Sequence, residues 1–244
     1  MIFQREVPGD HLMEVLYEEW IDPKKVFLEH QRTDRLKKYT HYAEEIATMI
    51  AFFKAVPSSL KFLDFGMGWG SWAQMAKALG CNAYGTELSQ QRIDYAMANG
   101  VKIMTWDDIP AGNFDFINTE QVFEHLSAPL ETLLHLKQGL NKNGILKISV
   151  PTVKDIDRRL ELMDWKAERK SKNSLNGLAP MEHINYFKTN SLIKMADIAG
   201  MAAIEIPSKH HHMFTPRGKG LGHIFKETFF PKKRNKNYMF FRVK

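Results

Sequence analysis

The segment Leu63-Asp64-Phe65-Gly66-Met67-Gly68-Trp69-Gly70-Ser71-Trp72 sets an acid two residues ahead of three alternating glycines and then opens a run of helical composition. Glycine has no Cβ, so the backbone can turn sharply there and a ligand can lie against it. The free N–H groups and positive dipole end of the following helix face the same ligand. Such a loop suits a nucleotide-like cofactor; taken alone, it could also be a plain tight turn. A dinucleotide site needs a third glycine spaced to seat the helix beneath a pyrophosphate, and an NAD-dependent oxidoreductase stays as a rival on that point. Glu87 follows 17 residues after Gly70, at the exit of the next apolar run. There an acid accepts hydrogen bonds from ribose hydroxyls. The alternative role for Glu87 is an acid at a helix N-terminus, which Ser89 could replace as N-cap.

Two Glu-His pairs supply the other reactive groups, Glu124-His125 within Glu120–Leu126 and Glu182-His183 ahead of Asn185-Tyr186-Phe187. A neutral imidazole suits proton abstraction near pH 7, although a lone histidine can equally serve only to order its loop. His210-His211-His212 cannot converge on one ion from three adjacent positions and reads as part of a basic tail.

The elements that must position these groups alternate between Leu60 and Val150. Strands are expected at Lys61–Phe65, Asn82–Thr86, Val101–Met104, Phe114–Asn118 and Ile145–Val150, the last preceded by a turn at Asn141–Gly144. Helices are expected at Ser71–Ala78, Gln90–Ala98 and Pro129–Leu140. This alternation predicts an α/β fold with a mostly parallel sheet covered on both faces. Further helices are expected near 153–164 and 190–199, and closing strands at Ala202–Ile206 and Tyr238–Val243. Residues 11–55 carry apolar positions at helical spacing, so residues 1–57 are taken as a helical extension and 58–244 as the main domain, with a basic insertion at about 207–237.

The chain of 244 residues, 44% hydrophobic and 25% charged, can bury a full core. It has no apolar run long enough to span a bilayer and no basic-then-apolar leader. A single cysteine, Cys81, allows no internal disulfide, so a cytoplasmic setting is expected. The abrupt start leaves room for an upstream module. Residues 208–244 hold ten Lys/Arg against Glu227 alone, so this stretch carries +9 of a net +6 and the remainder carries −3. Its cations interleave with Phe214, Phe225, Phe229, Phe230, Tyr238, Phe240 and Phe241. Such a mixture fits nucleic acid, through stacking and phosphate contacts, or a phosphorylated small molecule; Phe240 is assigned to the core face of the last strand.

Taken in order, Leu63–Gly70, Glu87, Trp106–Pro110, Phe114–Leu126 and Gly139–Pro151 resemble the motifs of class I S-adenosylmethionine-dependent methyltransferases, in the branch of ubiquinone-biosynthesis and sugar O-methyltransferases. The resemblance covers about residues 60–205 and implies a Rossmann-like seven-stranded sheet with an antiparallel last strand. It implies that the loop at Asp64, Gly66, Met67, Gly68, Trp69 and Gly70 holds the methionine part, Glu87 and Leu88 the ribose side, and Trp106 and Asp107 the adenine. Asn118, Thr119 and Glu120 would lie near the sulfonium. The expected activity is methyl transfer to a hydroxyl, less favourably an amine, of a small acceptor such as a sugar or nucleotide-linked sugar. His183 or His125, with Glu124, would take the acceptor's proton, and the N-terminal helices, with Tyr39 and Tyr42, would form a lid. The alternatives are an RNA methyltransferase and a non-catalytic cofactor-binding module.

Gln121, Glu124, His125 and His183 also resemble the Glu-x-x-Glu-His plus later His of small-RNA 2′-O-methyltransferases, where a divalent ion grips neighbouring hydroxyls. This sequence departs at Gln121, where the pattern has a carboxylate, and a neutral amide weakens affinity for hard cations. No metal is therefore expected.

Overall fold

The computed structural model describes residues 1–4, 9, 12, 15, 27, 28, 36–179, 182–207 and 238–244. The basic insertion, with the triple histidine, lies outside the described residues, as does most of the segment before residue 36. Among the described residues no helix is long and apolar enough to cross a membrane.

A seven-stranded sheet forms the centre. Its strands are β2 (Lys61–Phe65), β3 (Asn82–Thr86), β4 (Lys102–Ile103), β5 (Phe114–Glu120), β6 (Leu140–Ser149), β8 (Met201–Ile204) and β9 (Tyr238–Val243), in the order β4-β3-β2-β5-β6-β9-β8. All neighbours through β6 are parallel, and β9 runs antiparallel to both β6 and β8. The central strands read as continuous apolar runs because both faces are covered. One cluster (Leu63, Ile117, Leu146, Leu133, Leu136, Met195) lies on the side of α4 (Pro129–Gln138) and α6 (Thr189–Ile198). The other (Phe62, Phe116, Trp72, Ile46, Met49) lies on the side of α1 (Leu36–Phe53) and α2 (Ser71–Ala78). Helix α3 (Gln90–Ala98) links β3 to β4, and α5 (Ile156–Leu162) follows β6.

Chain order makes the important crossing. The sheet grows outward from β2 through β3 to β4, then returns to place β5 on the other flank of β2. The carboxyl ends of β2 and β5 therefore open a crevice between loops that leave in opposite directions, where open α/β sheets bind ligands. Helix α1 packs Tyr42, Ile46 and Met49 into the core against Trp72 and Phe62.

The structure differs from the sequence expectation at three places. The expected turn Asn141–Gly144 lies within β6, where Asn141 Oδ1 accepts the Asn143 N–H at 2.9 Å. The ladder with β5 then skips from Phe114↔Leu140 to Phe116↔Ile145, so the turn survives as a wide bulge. β5 runs on to Glu120, placing Thr119 and Glu120 on the strand because their backbone still pairs with β6. An unforeseen strand, β1 (Ile2–Phe3), pairs antiparallel with β7 (Asn185–Tyr186), just after His183.

Candidate active site

The glycine loop bends through three left-handed positions, Gly66, Gly68 and Gly70, at φ 70°, 54° and 72°. A Cβ on Gly66 would lie 2.7 Å from Val122 Cγ2, whereas one on Gly68 would meet nothing within 4 Å among the described residues. Gly66 is thus required by packing. Gly68 leaves open space against the backbone, which is the room a ligand needs. The loop is pinned by its backbone: Gly66 N–H reaches Thr86 Oγ1, and Met67 N–H reaches the Thr86 carbonyl at 2.9 Å.

Glu87 completes this half. Its Oε2 accepts the Gly68 N–H at 2.8 Å, and its Oε1 accepts the N–H groups of Leu88 and Ser89 at 2.9 and 3.2 Å. Ser89, at the N-cap of the next helix, makes no side-chain cap bond, and the bonds of Glu87 fall on the two N–H groups just ahead of that helix. A carboxylate has about four lone-pair directions, so one remains for a hydroxyl beyond these three bonds. Below the loop, Asp64 is 3% exposed and accepts from Asn118 Nδ2 at 2.8 Å. Burial pushes the Asp64 carboxyl up to about 7. Asn118 Oδ1 is buried with no hydrogen-bond partner among the described residues, an acceptor awaiting a donor.

The remaining residues expected at the cofactor divide. Leu88 is fully exposed beside Glu87, and Trp106, 46% exposed, stacks on His135 with ring centroids 3.8 Å apart. Asp107 is exposed next to it. Met67 and Trp69 turn inward: Met67 packs over Gly85 of β3, and Trp69 sits edge-on to Tyr95 and tilted against Phe27. Thr119 Oγ1 donates to the Lys147 carbonyl, so this side chain is spent on the sheet.

Across the crevice, Glu124, His125 and His183 converge, with one potential ligand atom from each lying within 4.8 Å of the others. Glu124 is 1% exposed, both its oxygens lack hydrogen-bond partners among the described residues, and burial raises its carboxyl to about 7. His125 Nδ1 lies 2.8 Å from the Glu182 carbonyl, which can only accept, so Nδ1 carries the proton and Nε2 a lone pair, 3.9 Å from Glu124 Oε1. The His183 ring is likewise held by the Leu178 carbonyl. Burial lowers the proton affinity of both imidazoles, and their rings meet edge to face at 4.8 Å. Gln121 does not join them: it adopts φ 56° and its amide donates to Ser149 Oγ at 3.2 Å.

The profile of a methyltransferase-domain family matches residues 28–206. This chain belongs to the class I S-adenosylmethionine-dependent methyltransferases. The structure of the plantazolicin methyltransferase BpumL in complex with S-adenosylhomocysteine is 16% identical, with a TM-score of 0.57 over 96% of this chain and 94% of that one. Magnesium protoporphyrin IX methyltransferase (ChlM) from Synechocystis PCC 6803, with bound S-adenosylhomocysteine, is 15% identical, with a TM-score of 0.54 over 79% and 89% of the two chains. A comparison with curated proteins returned no match. The fold class expected from the sequence is the one observed, and S-adenosylmethionine is the cofactor.

The methyltransferase fits that cofactor on its own atoms: open space at Gly68, an orphan acceptor on Asn118, and carboxylates at Glu87 and Asp64. A separate cavity of about 570 Å³, lined by Phe52, Phe53, Asn113, Asp115, Asn141 and Arg242 among others, lies toward the amino ends of β2, β5 and β6 and includes none of these groups.

Sequence reasoning missed a buried ionic group. Lys147 of β6, 1% exposed, bonds Glu120 Oε2 at 2.7 Å and Glu45 Oε2 of α1 at 2.7 Å, and Trp72 Nε1 donates to Glu45 Oε1 at 2.9 Å. Burial alone would lower the Lys147 ammonium, but the two carboxylates outweigh it and raise it. The signal was present: Lys147 interrupts an apolar strand, and Glu45 falls on the buried stripe Tyr42, Ile46, Met49 of α1. Missed too was His135, which stacks on Trp106 and bonds its carbonyl at 2.9 Å.

Proposed function

We propose that the methyltransferase acts on a hydroxyl of a small acceptor, a sugar or nucleotide-linked sugar in first place, with the imidazole of His183 or His125 receiving the departing proton. When bound, S-adenosylmethionine supplies an electrophilic methyl group on a positively charged sulfur. The loop Gly66–Gly70 and Glu87 hold its two ends, and Asn118 Oδ1 offers the acceptor between them. An alcohol is a poor nucleophile until its proton leaves, and a well-placed base contributes about 10²–10⁴-fold. Aligning acceptor and methyl group supplies much of the rest. Helix α1 serves as the lid, since Tyr42 lies close enough to Asp64 and Glu120 for their charges to hold its phenol above the ordinary range, after the larger effect of burial.

One observation carries this reading: two neutral imidazoles, each with its tautomer set by a backbone carbonyl, converge with a buried carboxylate at the carboxyl end of β5. Labelled methyl transfer to a panel of sugars, nucleotide sugars and amines tests it. Hydroxyl acceptors turned over by the wild type and spared by His183→Ala would remove the imidazole from the reaction.

A second reading of the same cluster is a divalent cation held by Glu124, His125 and His183, favoured by the two orphan oxygens of Glu124. Backbone carbonyls already orient both rings as second-layer partners of metal ligands do, whereas Gln121 is turned away. Activity lost to a chelator and restored by one divalent ion supports this reading, and activity indifferent to chelation rejects it.

A further inference from the structure

The glycine loop and the imidazoles leave unexplained a lysine at the centre of the sheet. Lys147 is 1% exposed, and its Nζ lies 2.7 Å from carboxylate oxygens of both Glu120 and Glu45. Replacing a buried ion pair with packed apolar residues is often neutral or stabilising, so packing alone gives no reason for a lysine between Leu146 and Ile148. Two acids around one base leave this group one negative charge in excess.

That excess is not evenly hidden. The Glu45 side chain is 7% exposed and also accepts the Trp72 indole N–H, whereas Glu120 is 31% exposed. Glu120 closes β5, two residues beyond Asn118, which bonds Asp64 beneath the glycine loop. Its charge also acts on both Asp64 and Glu124, raising each. Glu120 therefore stands between the cofactor loop and the imidazole cluster, where the transferred methyl group must pass.

We propose that Lys147 is a positioning residue that holds Glu120 as counter-ion to the positive charge of the cofactor, so that the site distinguishes the sulfonium of S-adenosylmethionine from the neutral thioether of S-adenosylhomocysteine. Transfer breaks the sulfur–methyl bond, leaves its electron pair on sulfur and joins the methyl group to the acceptor oxygen, whose proton passes to the imidazole. The positive charge thus moves away from Glu120, and the product is held less firmly than the substrate. The inference rests on the cofactor assignment above.

The test is calorimetric titration with three nucleosides: S-adenosylmethionine, S-adenosylhomocysteine, and sinefungin, which carries an ammonium where the sulfonium stands. Glu120→Gln keeps the shape and removes the charge. It is expected to weaken both cationic ligands about three- to tenfold while leaving the thioether within about twofold, the size of a partly screened charge pair. Lys147→Arg should keep the wild-type ratio, and Lys147→Met should lose it as Glu120→Gln does. Equal weakening of all three ligands by Glu120→Gln overturns the proposal. So does a wild-type ratio in folded Lys147→Met, which would leave the lysine a purely structural tie. If the folded wild type takes up none of the three, it is the cofactor assignment that fails, a different result from an unchanged ratio.

Discussion

The two sides of the crevice are built from different material. The cofactor side is mostly backbone: a short contiguous stretch, Asp64–Gly70, is pinned by N–H groups and carbonyls to Thr86 and by one carboxylate at Glu87. The other side is made of side chains from distant elements, Glu124 and His125 beyond β5 and His183 ahead of β7, with the tie of Glu45, Lys147 and Glu120 standing between the two. Backbone recognition can be kept by glycine and strand geometry in a short motif, whereas side-chain recognition depends on the topology that gathers its parts. On the function proposed above, the first half serves a shared cofactor, and the second varies with the acceptor.

The largest expected effect falls on the ionic tie. Lys147→Met leaves the buried Glu45 and the half-buried Glu120 without their cation and should cost about 3–5 kcal/mol, the usual range for breaking a buried pair, read by chemical denaturation. A loss below about 1 kcal/mol would mean that water reaches the pair. Next comes His183→Ala, expected to slow transfer by about a hundredfold while the affinity for S-adenosylhomocysteine stays within about twofold. A matching loss of affinity would erase the division between the two sides.

The division was also visible in what could be read beforehand. The strand–loop–helix around Asp64 and the acid at Glu87 were legible because their chemistry is local and periodic. So was the parallel sheet, from strands alternating with helices, whereas its antiparallel close was implied by the family resemblance alone. The pairing of Lys147 with Glu45 was not: it spans 102 positions and depends on α1 lying against the sheet beside β6. Gln121, where the family pattern of the metal-binding relatives already failed, is a related case. Spacing put it with Glu124 and His125, but its left-handed backbone turns the side chain to Ser149. Met67 and Trp69 sit in the motif, yet their side chains face the core, since a loop that bends at every second residue aims its non-glycine side chains away from the ligand.

Two smaller effects sharpen the cofactor side. Gly66→Ala sets a Cβ 2.7 Å from Val122, so it should cost about 1–3 kcal/mol of stability by overpacking as well as cofactor affinity. Gly68→Ala meets no protein atom and should cost only about 1 kcal/mol for the left-handed backbone, its main effect being on affinity. Equal thermal shifts in the two variants would show that strain alone sets the loop.

The last effect is on pH. The folded-state value of Asp64, about 7, lies above that of the unfolded chain, near 4. Both states hold the proton below pH 4, and only the folded state holds it between 4 and 7, so stability falls across that window. Glu124 acts in the same direction. In Asp64→Asn the slope between pH 4 and 7 should shrink. Affinity for the cationic cofactor should rise toward pH 7 and above in the wild type as Asp64 ionises, and flatten in the variant.

The most direct measurement is calorimetry of folded wild-type protein with S-adenosylhomocysteine, alongside Gly68→Ala. One molecule per chain, bound more weakly by a variant that folds as well as the wild type, is the expected result. Absence of uptake by the wild type, or equal uptake by both proteins, would contradict a cofactor seated against the backbone at Gly68.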